Sequence, residues 1–125
     1  MTNVEIGRRG EDAACRFLEE KGYVVLERNY RFEKSEVDII CYRSLAGGRR
    51  GEIVFVEVKA RSGDRFGAPE ASVGAVKISN VVHAARAWLY EQRMESAPCR
   101  FDIVAVTFDA DETTIKHYED AFDAS

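Results

Sequence analysis

The chain has 125 residues, 46% of them hydrophobic, which is enough for a compact domain with a real core, and we predict one domain over residues 1–125. No stretch approaches the roughly 18 uncharged apolar residues of a membrane-spanning helix, and the first residues lack a signal-peptide pattern, so the sequence favours a cytoplasmic protein without a membrane partner. The formal net charge of −4 argues against a strongly basic nucleic-acid binder.

The first predicted element is a helix from Val4 to about Lys21. Its inward face is indicated by a stripe with i, i+3, i+4, i+7 spacing, formed by Glu11, Ala14, Cys15 and Leu18. An acid on an inward face needs an explanation. Either Glu11 belongs to a functional site, or it is an acid near the helix start that the helix dipole favours and that still reaches solvent.

Two strand-like runs follow, Ser35–Tyr42 and Ile53–Lys59, separated by a glycine- and arginine-rich segment that predicts a hairpin loop. Alternation along the second run places the hydrophobic residues Val54, Val56 and Val58 on a core face. Glu57 and Lys59 share the other face with Ile53 and Phe55, where an acid and a base cost free energy unless they pair or bind something.

If these strands pair antiparallel with Tyr42 opposite Ile53, Asp38 lies opposite Glu57, with Cβ atoms roughly 5 Å apart. Two carboxylates this close repel each other unless a proton or a divalent cation lies between them. A register shift of one residue would send them to opposite faces. An acid-x-Lys pattern alone can also be a solvated surface ion pair, which contributes little.

The ordered motifs resemble those of the YraN-like proteins, a family of small bacterial proteins, from about Gly7 to Phe122. The motifs are Gly10-Glu11, Glu36-Val37-Asp38-Ile39-Ile40, Phe55-Val56-Glu57-Val58-Lys59-Ala60-Arg61, Phe66-Gly67, Lys77 and Arg100-Phe101-Asp102. The resemblance implies an α/β, restriction-endonuclease-like fold, distantly similar to archaeal Holliday junction resolvases. Val37 stands where that signature often has proline, and Ser35 where the family usually has glycine, but neither position supplies a ligand.

For the chemistry, the resemblance implies a Mg²⁺-dependent (or Mn²⁺-dependent) nuclease. Asp38 and Glu57 would hold the cation, while the Val58 backbone carbonyl and Glu11 could complete or orient its shell. Lys59 would face the attacking water and stabilise the charge that grows on the phosphate. The implied catalytic residues are therefore Asp38, Glu57 and Lys59.

The expected partner is nucleic acid, with DNA favoured, and in particular branched or damaged DNA by analogy with the resolvases. The acidity is concentrated in the last 25 residues, which hold one basic and seven acidic residues. Arg31, Arg61 and Lys77 are the predicted phosphate contacts, although each could instead be an ordinary solvated cation. A non-catalytic nucleic-acid-binding or assembly module, and a structural or partner-binding domain, remain alternatives, and cutting two strands would suit a homodimer.

The rest of the chain predicts a loop over Asp64–Pro69, a helix from Ser72 to about Glu95, a buried strand over Phe101–Phe108 and a short strand over Thr114–Tyr118, giving a mixed sheet flanked by helices in the order αβββαβ(β). Asp102 could be a further acid near the site or a partner of a neighbouring arginine. We expect no site at the remaining cysteines, histidines and tryptophan. The thiols are predicted to be reduced and mostly buried (Cys15, Cys41 and Cys99), the histidines to be isolated (His83 and His117), and Trp88 to contribute to packing.

Overall fold

The computed structural model describes residues 1–45, 51–63 and 74–124. The elements in chain order are α1 (Asn3–Glu20), β1 (Val24–Phe32), β2 (Ser35–Ser44), β3 (Gly51–Ser62), α2 (Ala75–Glu91), β4 (Cys99–Asp109) and β5 (Glu112–Phe122). This α/β order confirms the predicted fold class, including the final strand, and is consistent with a nuclease-like fold. The final strand has 11 residues, so it is longer than predicted.

The strands form one five-stranded mixed sheet in the order β1-β2-β3-β4-β5. Among the described strands, only the β3–β4 pair is parallel, and the other three pairs are antiparallel. Tyr42 pairs with Ile53, and the same register continues to Ile39 opposite Val56. The predicted hairpin register is therefore confirmed, and Asp38 and Glu57 occupy the next position beyond the last paired residues.

Within the described ranges, each face of the sheet is covered by one helix. On the α2 side, Ile53 and Phe55 pack in a cluster with Trp88, whose indole N–H donates to Glu27 at 3.0 Å. On the α1 side, Val54 and Val56 pack with helix residues that include Leu18. The predicted alternation of β3 is confirmed, as is the inward stripe of α1, of which Ala14, Cys15 and Leu18 are buried.

Some boundaries differ from the prediction. Helix α2 begins after Gly74 and not at Ser72, and it ends at Glu91 because Arg93 adopts a left-handed backbone with φ of 57°. The three cysteines are free, but Cys99 is exposed while the other two are buried. The predicted loop Asp64–Pro69, the Phe66-Gly67 motif and residues 46–50 of the hairpin loop lie outside the described residues. Neither described helix combines the length and apolarity needed to cross a membrane.

Helix α1 approaches the sheet closely at Gly10. The residue is buried, and a Cβ placed on it would collide with the Cβ of Ala60 on β3. The missing side chain at Gly10 therefore lets the helix lie directly on the strand that carries Glu57 and Lys59.

Gly10→Ala is expected to lower the free energy of unfolding by about 1–3 kcal/mol, because overpacking a filled interface forces the backbone to move. Denaturant titration followed by circular dichroism measures the loss. The double variant Gly10→Ala/Ala60→Gly removes the colliding methyl group and should recover part of the stability. A single variant as stable as the wild type would contradict this account of the helix contact.

Candidate active site

The acids at the β2–β3 junction are in contact. The Asp38 carboxylate accepts a hydrogen bond from the Val58 backbone N–H at 2.8 Å and makes a second hydrogen bond to Glu57. The last backbone pair between β2 and β3 is Ile39 with Val56. Beyond it, the Asp38 side chain binds the Val58 N–H in place of a backbone carbonyl. The confirmed register brings together the two carboxylates that the sequence predicted to be neighbours.

A local irregularity in β2 accompanies this contact. Val37 packs in the cluster on the α2 side, whereas Ile39 packs in the cluster on the α1 side, although regular alternation would put both on one face. On the neighbouring strand, Asn29 has a left-handed backbone with φ of 55°. The sheet is thus distorted on both strands at the position where Asp38 leaves the ladder.

Burial governs the electrostatics of this pair. Glu57 is only 2% exposed. Desolvation raises the pKa of Asp38 to about 8, and the adjacent Glu57 carboxylate adds to the effect. Asp38 therefore keeps its proton at neutral pH, because a buried carboxyl in contact with another acid is costly to ionise.

Lys77, in the first turn of α2, supplies a positive charge. Its Nζ lies 2.9 Å from Glu57 Oε2, and the contact is an ion pair whose alignment is not that of a hydrogen bond. Burial lowers the pKa of Lys77, but the contact with Glu57 more than offsets this, and the net shift is upward. Lys77 is therefore not the ordinary solvated helix lysine that the sequence also allowed.

An open pocket of about 430 Å³ lies beside Asp38. Its walls include Glu11, Asp38, Val58, Lys59 and Arg61. Lys59 is half-buried and makes no ion pair or hydrogen bond with another residue in the described ranges. The structure therefore brings an acid of the pair and the predicted lysine to one cavity that a ligand can enter.

Glu11 lines the same pocket but has other partners. Arg28 Nε and Asn29 Nδ2 each donate to Glu11 Oε1 at 2.8 Å. Neighbouring strand residues normally point to opposite faces, so the left-handed Asn29 allows both to reach one oxygen. Over residues 1–45, 51–63 and 74–124, no three His, Cys, Asp or Glu side chains are grouped to hold a metal ion, so Glu11 does not join the contacting pair.

Glu36 is a pocket residue that the sequence analysis did not single out. It lines the cavity next to Asp38 and lies 3.7 Å from Arg31. Burial raises the pKa of Glu36, and the Asp38 carboxylate contributes to the same shift. The available signal was the i, i+2 spacing of Glu36 and Asp38, which places two acids close together on an extended strand.

The predicted phosphate contacts differ in their surroundings. Arg61 lines the pocket, and Arg31 is mostly exposed, with 68% of its side chain accessible. Arg28, which also belongs to the basic residues near the site, is held by Glu11 and by Asp12, whose Oδ1 lies 2.7 Å from its guanidinium. Arg61 is thus at the pocket wall, whereas Arg31 lies outside the lining and is linked to it through Glu36.

The sequence matches the Uncharacterised protein family UPF0102 over residues 10–106. The chain belongs to this family. A UPF0102 protein of Anaeromyxobacter dehalogenans is 41% identical over 119 residues, covering 94% of this chain and 84% of the relative. One of Geobacter metallireducens is 38% identical over 124 residues, covering 98% and 96%, and one of Chlorobium chlorochromatii is 40% identical over 124 residues, covering 94% and 91%.

The family match confirms the resemblance to the YraN-like proteins. It extends from Gly10 to Val106 and so includes the predicted site residues Glu11, Asp38, Glu57 and Lys59. Its name describes no activity, so the chemistry of the pocket carries the functional argument.

A second polar cluster is buried between β4 and β5. Asp102, which is fully buried, accepts two hydrogen bonds from Arg100 at 2.8 Å and one contact from His117 Nε2 at 2.7 Å. The pairing of Asp102 with a neighbouring arginine is confirmed. The prediction that His117 and His83 are isolated is wrong. Strand pairing brings His117 to Asp102, its other ring nitrogen lies 2.8 Å from Lys21 Nζ, and His83 Nε2 lies 2.7 Å from Glu33 Oε1.

Proposed function

We propose that this protein is a Mg²⁺- or Mn²⁺-dependent nuclease that hydrolyses phosphodiester bonds in nucleic acid, with DNA as the expected substrate. One observation carries the proposal: Asp38, in contact with the buried Glu57, opens onto a pocket that Lys59 also lines. Stability of the fold does not explain two acids and a half-buried lysine at a strand end, because burying charged groups costs free energy. A role in binding or chemistry does explain them.

The residues at this site fit a hard divalent cation. Asp38 and Glu57 would hold it with the Val58 backbone carbonyl, a set of oxygen donors that suits Mg²⁺, which binds through one or two carboxylates and keeps several waters. The buried Glu57 Oε2 has no hydrogen bond in the described parts of the chain and is neutralised there by the Lys77 ammonium, so this oxygen already binds a positive charge. When bound, the cation supplies Lewis acidity and a template for in-line displacement at phosphorus.

Lys59 is the residue to which we assign activation of the nucleophile. Its ammonium can hold a water by hydrogen bonding, favour loss of that water's proton and stabilise negative charge on the phosphate. Glu11, held by Arg28 and Asn29, also lines the pocket and would orient water there.

Substrate binding would rely on cations around the pocket. Arg61 at its wall and the exposed Arg31 would contact phosphates, with Lys77 as a third contact. A pocket open to solvent suits a long polymer that crosses the surface, and branched or damaged DNA is the form we propose. We also propose action in the cytoplasm, and a homodimer would provide the two sites needed to cut two strands.

The test is cleavage of labelled single-stranded, duplex and branched DNA, and of RNA, by purified protein with Mg²⁺, Mn²⁺ or chelator. Lys59→Ala is expected to reduce the cleavage rate by about 10²–10³-fold, a loss typical of removing one group that stabilises transition-state charge. Lys116→Ala, which removes the same charge from an exposed position on β5, is the matched control and should retain activity. Equal cleavage by both variants would refute the role of Lys59.

The alternative is a non-catalytic nucleic-acid-binding or assembly module. It is favoured by the pairing of Glu11 with Arg28 and Asn29, and by the lack of a three-acid group in the described residues. Gel-shift binding that needs Arg61 and Arg31, with no cleavage under any metal condition, would support this alternative against the nuclease.

A further inference from the structure

The ion pair between Lys77 and Glu57 closes the carboxylate pair from the α2 side. Glu57 is 2% exposed, whereas 44% of the Lys77 side chain remains accessible. The acid is thus fixed in the sheet while the lysine reaches it from the edge, and of the two charges only that of Lys77 can move into solvent without strand displacement.

In the described part of the chain, the first turn of α2 has no favourable electrostatics of its own, and the acids that favour its lysine, Glu57 with Asp38 and Glu36, lie on β2 and β3. Its N-cap, Gly74, provides no side-chain hydrogen bond, and the turn contains no acid. A lysine there opposes the helix dipole, which prefers negative charge at this end. The contact with Glu57 is therefore the evident reason for a lysine at this position.

We infer that Lys77 is the counter-ion of this site without metal, and that a divalent cation bound at the carboxylates displaces it and loosens the first turn of α2. This inference rests on the proposed cation site but not on catalysis. One ammonium and one carboxylate neutralise each other, whereas a doubly charged ion at the same carboxylate would repel an ammonium only 2.9 Å from Glu57 Oε2. The lysine moves because it is the charge with access to solvent.

Displacement would also link cation binding to substrate binding. Freed from Glu57, the Lys77 ammonium becomes available to a phosphate that approaches the carboxylates from the α2 side, so one side chain serves as internal counter-ion and then as substrate contact. The order of events follows from charge alone: the cation binds first, and the lysine is released by it.

Lys77→Met tests the competition directly, because methionine keeps an unbranched side chain and removes the charge. We expect the variant to bind Mn²⁺ about tenfold more tightly than the wild type, measured by electron paramagnetic resonance of free Mn²⁺ without nucleic acid. Lys116→Met, the matched loss of one exposed charge, should change the affinity less than about twofold, as expected of a distant and screened charge. Unchanged or weaker Mn²⁺ binding by Lys77→Met would overturn the inference.

Hydrogen exchange of the wild type gives a second test that needs no variant. The Ile78 amide, which donates to the Gly74 carbonyl at 3.0 Å, should exchange several-fold faster when Mg²⁺ is added. The Gln92 amide, bonded to the Trp88 carbonyl at the other end of α2, is the internal reference. Slower or unchanged exchange at Ile78 contradicts displacement. Cleavage assays are independent of both readouts, so a failure here leaves the nuclease proposal standing, and the converse also holds.

Discussion

Asp38→Asn is expected to make the metal-free protein more stable while abolishing its response to Mg²⁺. The wild-type carboxyl, with a pKa raised to about 8, keeps its proton in the folded state and loses it in the unfolded chain above about pH 4. Wild-type stability therefore falls as the pH rises from about 4 to about 8. Asparagine does not ionise, so the variant lacks this pH-dependent loss of stability. Its amide oxygen can still accept a hydrogen bond from the Val58 N–H, and its NH₂ group can donate one to Glu57.

The advantage of the variant should be absent below about pH 4 and reach about 1–3 kcal/mol near pH 8, as measured by urea unfolding at a series of pH values. Mg²⁺ should raise the Tm of the wild type but not of the variant, because a ligand stabilises only the state that binds it. Asp111→Asn, the same change at an exposed turn position, is the control and should show neither effect. A variant less stable than the wild type at every pH would count against the buried carboxylate pair.

Asp102→Ala is expected to cost about 3–5 kcal/mol of unfolding free energy and to lower the Tm by roughly 10–20 °C. Removal of this carboxylate leaves the Arg100 guanidinium, only 11% exposed, without its bidentate partner and breaks the contact with His117. The Asp120 backbone N–H, which donates to Asp102 at 3.0 Å, also loses its acceptor. The penalty comes from the buried groups left unpaired.

Glu119→Gln is the matched control, because it neutralises another carboxylate that pairs with Arg100. Glu119 lies 3.3 Å from Arg100 but is 46% exposed, so its loss should cost no more than about 1 kcal/mol.

Burial acts to raise the pKa of Asp102, but His117 and Arg100 lower it below its usual range. The stability from Asp102 is therefore present above about pH 3.8 and lost at lower pH in the wild type, whereas Asp102→Ala should lack this acid-dependent part. Equal losses for Asp102→Ala and Glu119→Gln would contradict this account.

The elements and the β2–β3 register could be predicted because they depend on local periodicity. The helical stripe of α1 and the alternating β3 are properties of spacing, and the hairpin between Tyr42 and Ile53 follows from loop symmetry. From that register, the contact of Asp38 with Glu57 is a matter of counting. Neighbouring side chains on one hairpin need no long-range information.

The partners contributed by distant segments could not be predicted in this way. Lys77 contacts Glu57 although the two residues lie 20 positions apart in the sequence, and His117 reaches Asp102 only because β5 folds back on β4. The left-handed backbone of Asn29 could not be predicted from the sequence either, although asparagine tolerates that conformation better than most residues. Such contacts depend on where helices and strands lie relative to one another.

Residue spacing is enough to place two acids and a lysine on neighbouring strands, because alternation and hairpin pairing are short-range geometry. Only the folded arrangement decides that Glu57 is buried, that Lys77 neutralises it, and that Arg28 and Asn29 hold Glu11 at the wall of the pocket beside Asp38. The physical reason is that desolvation and charge pairing depend on everything packed around a group, including residues far away in the chain.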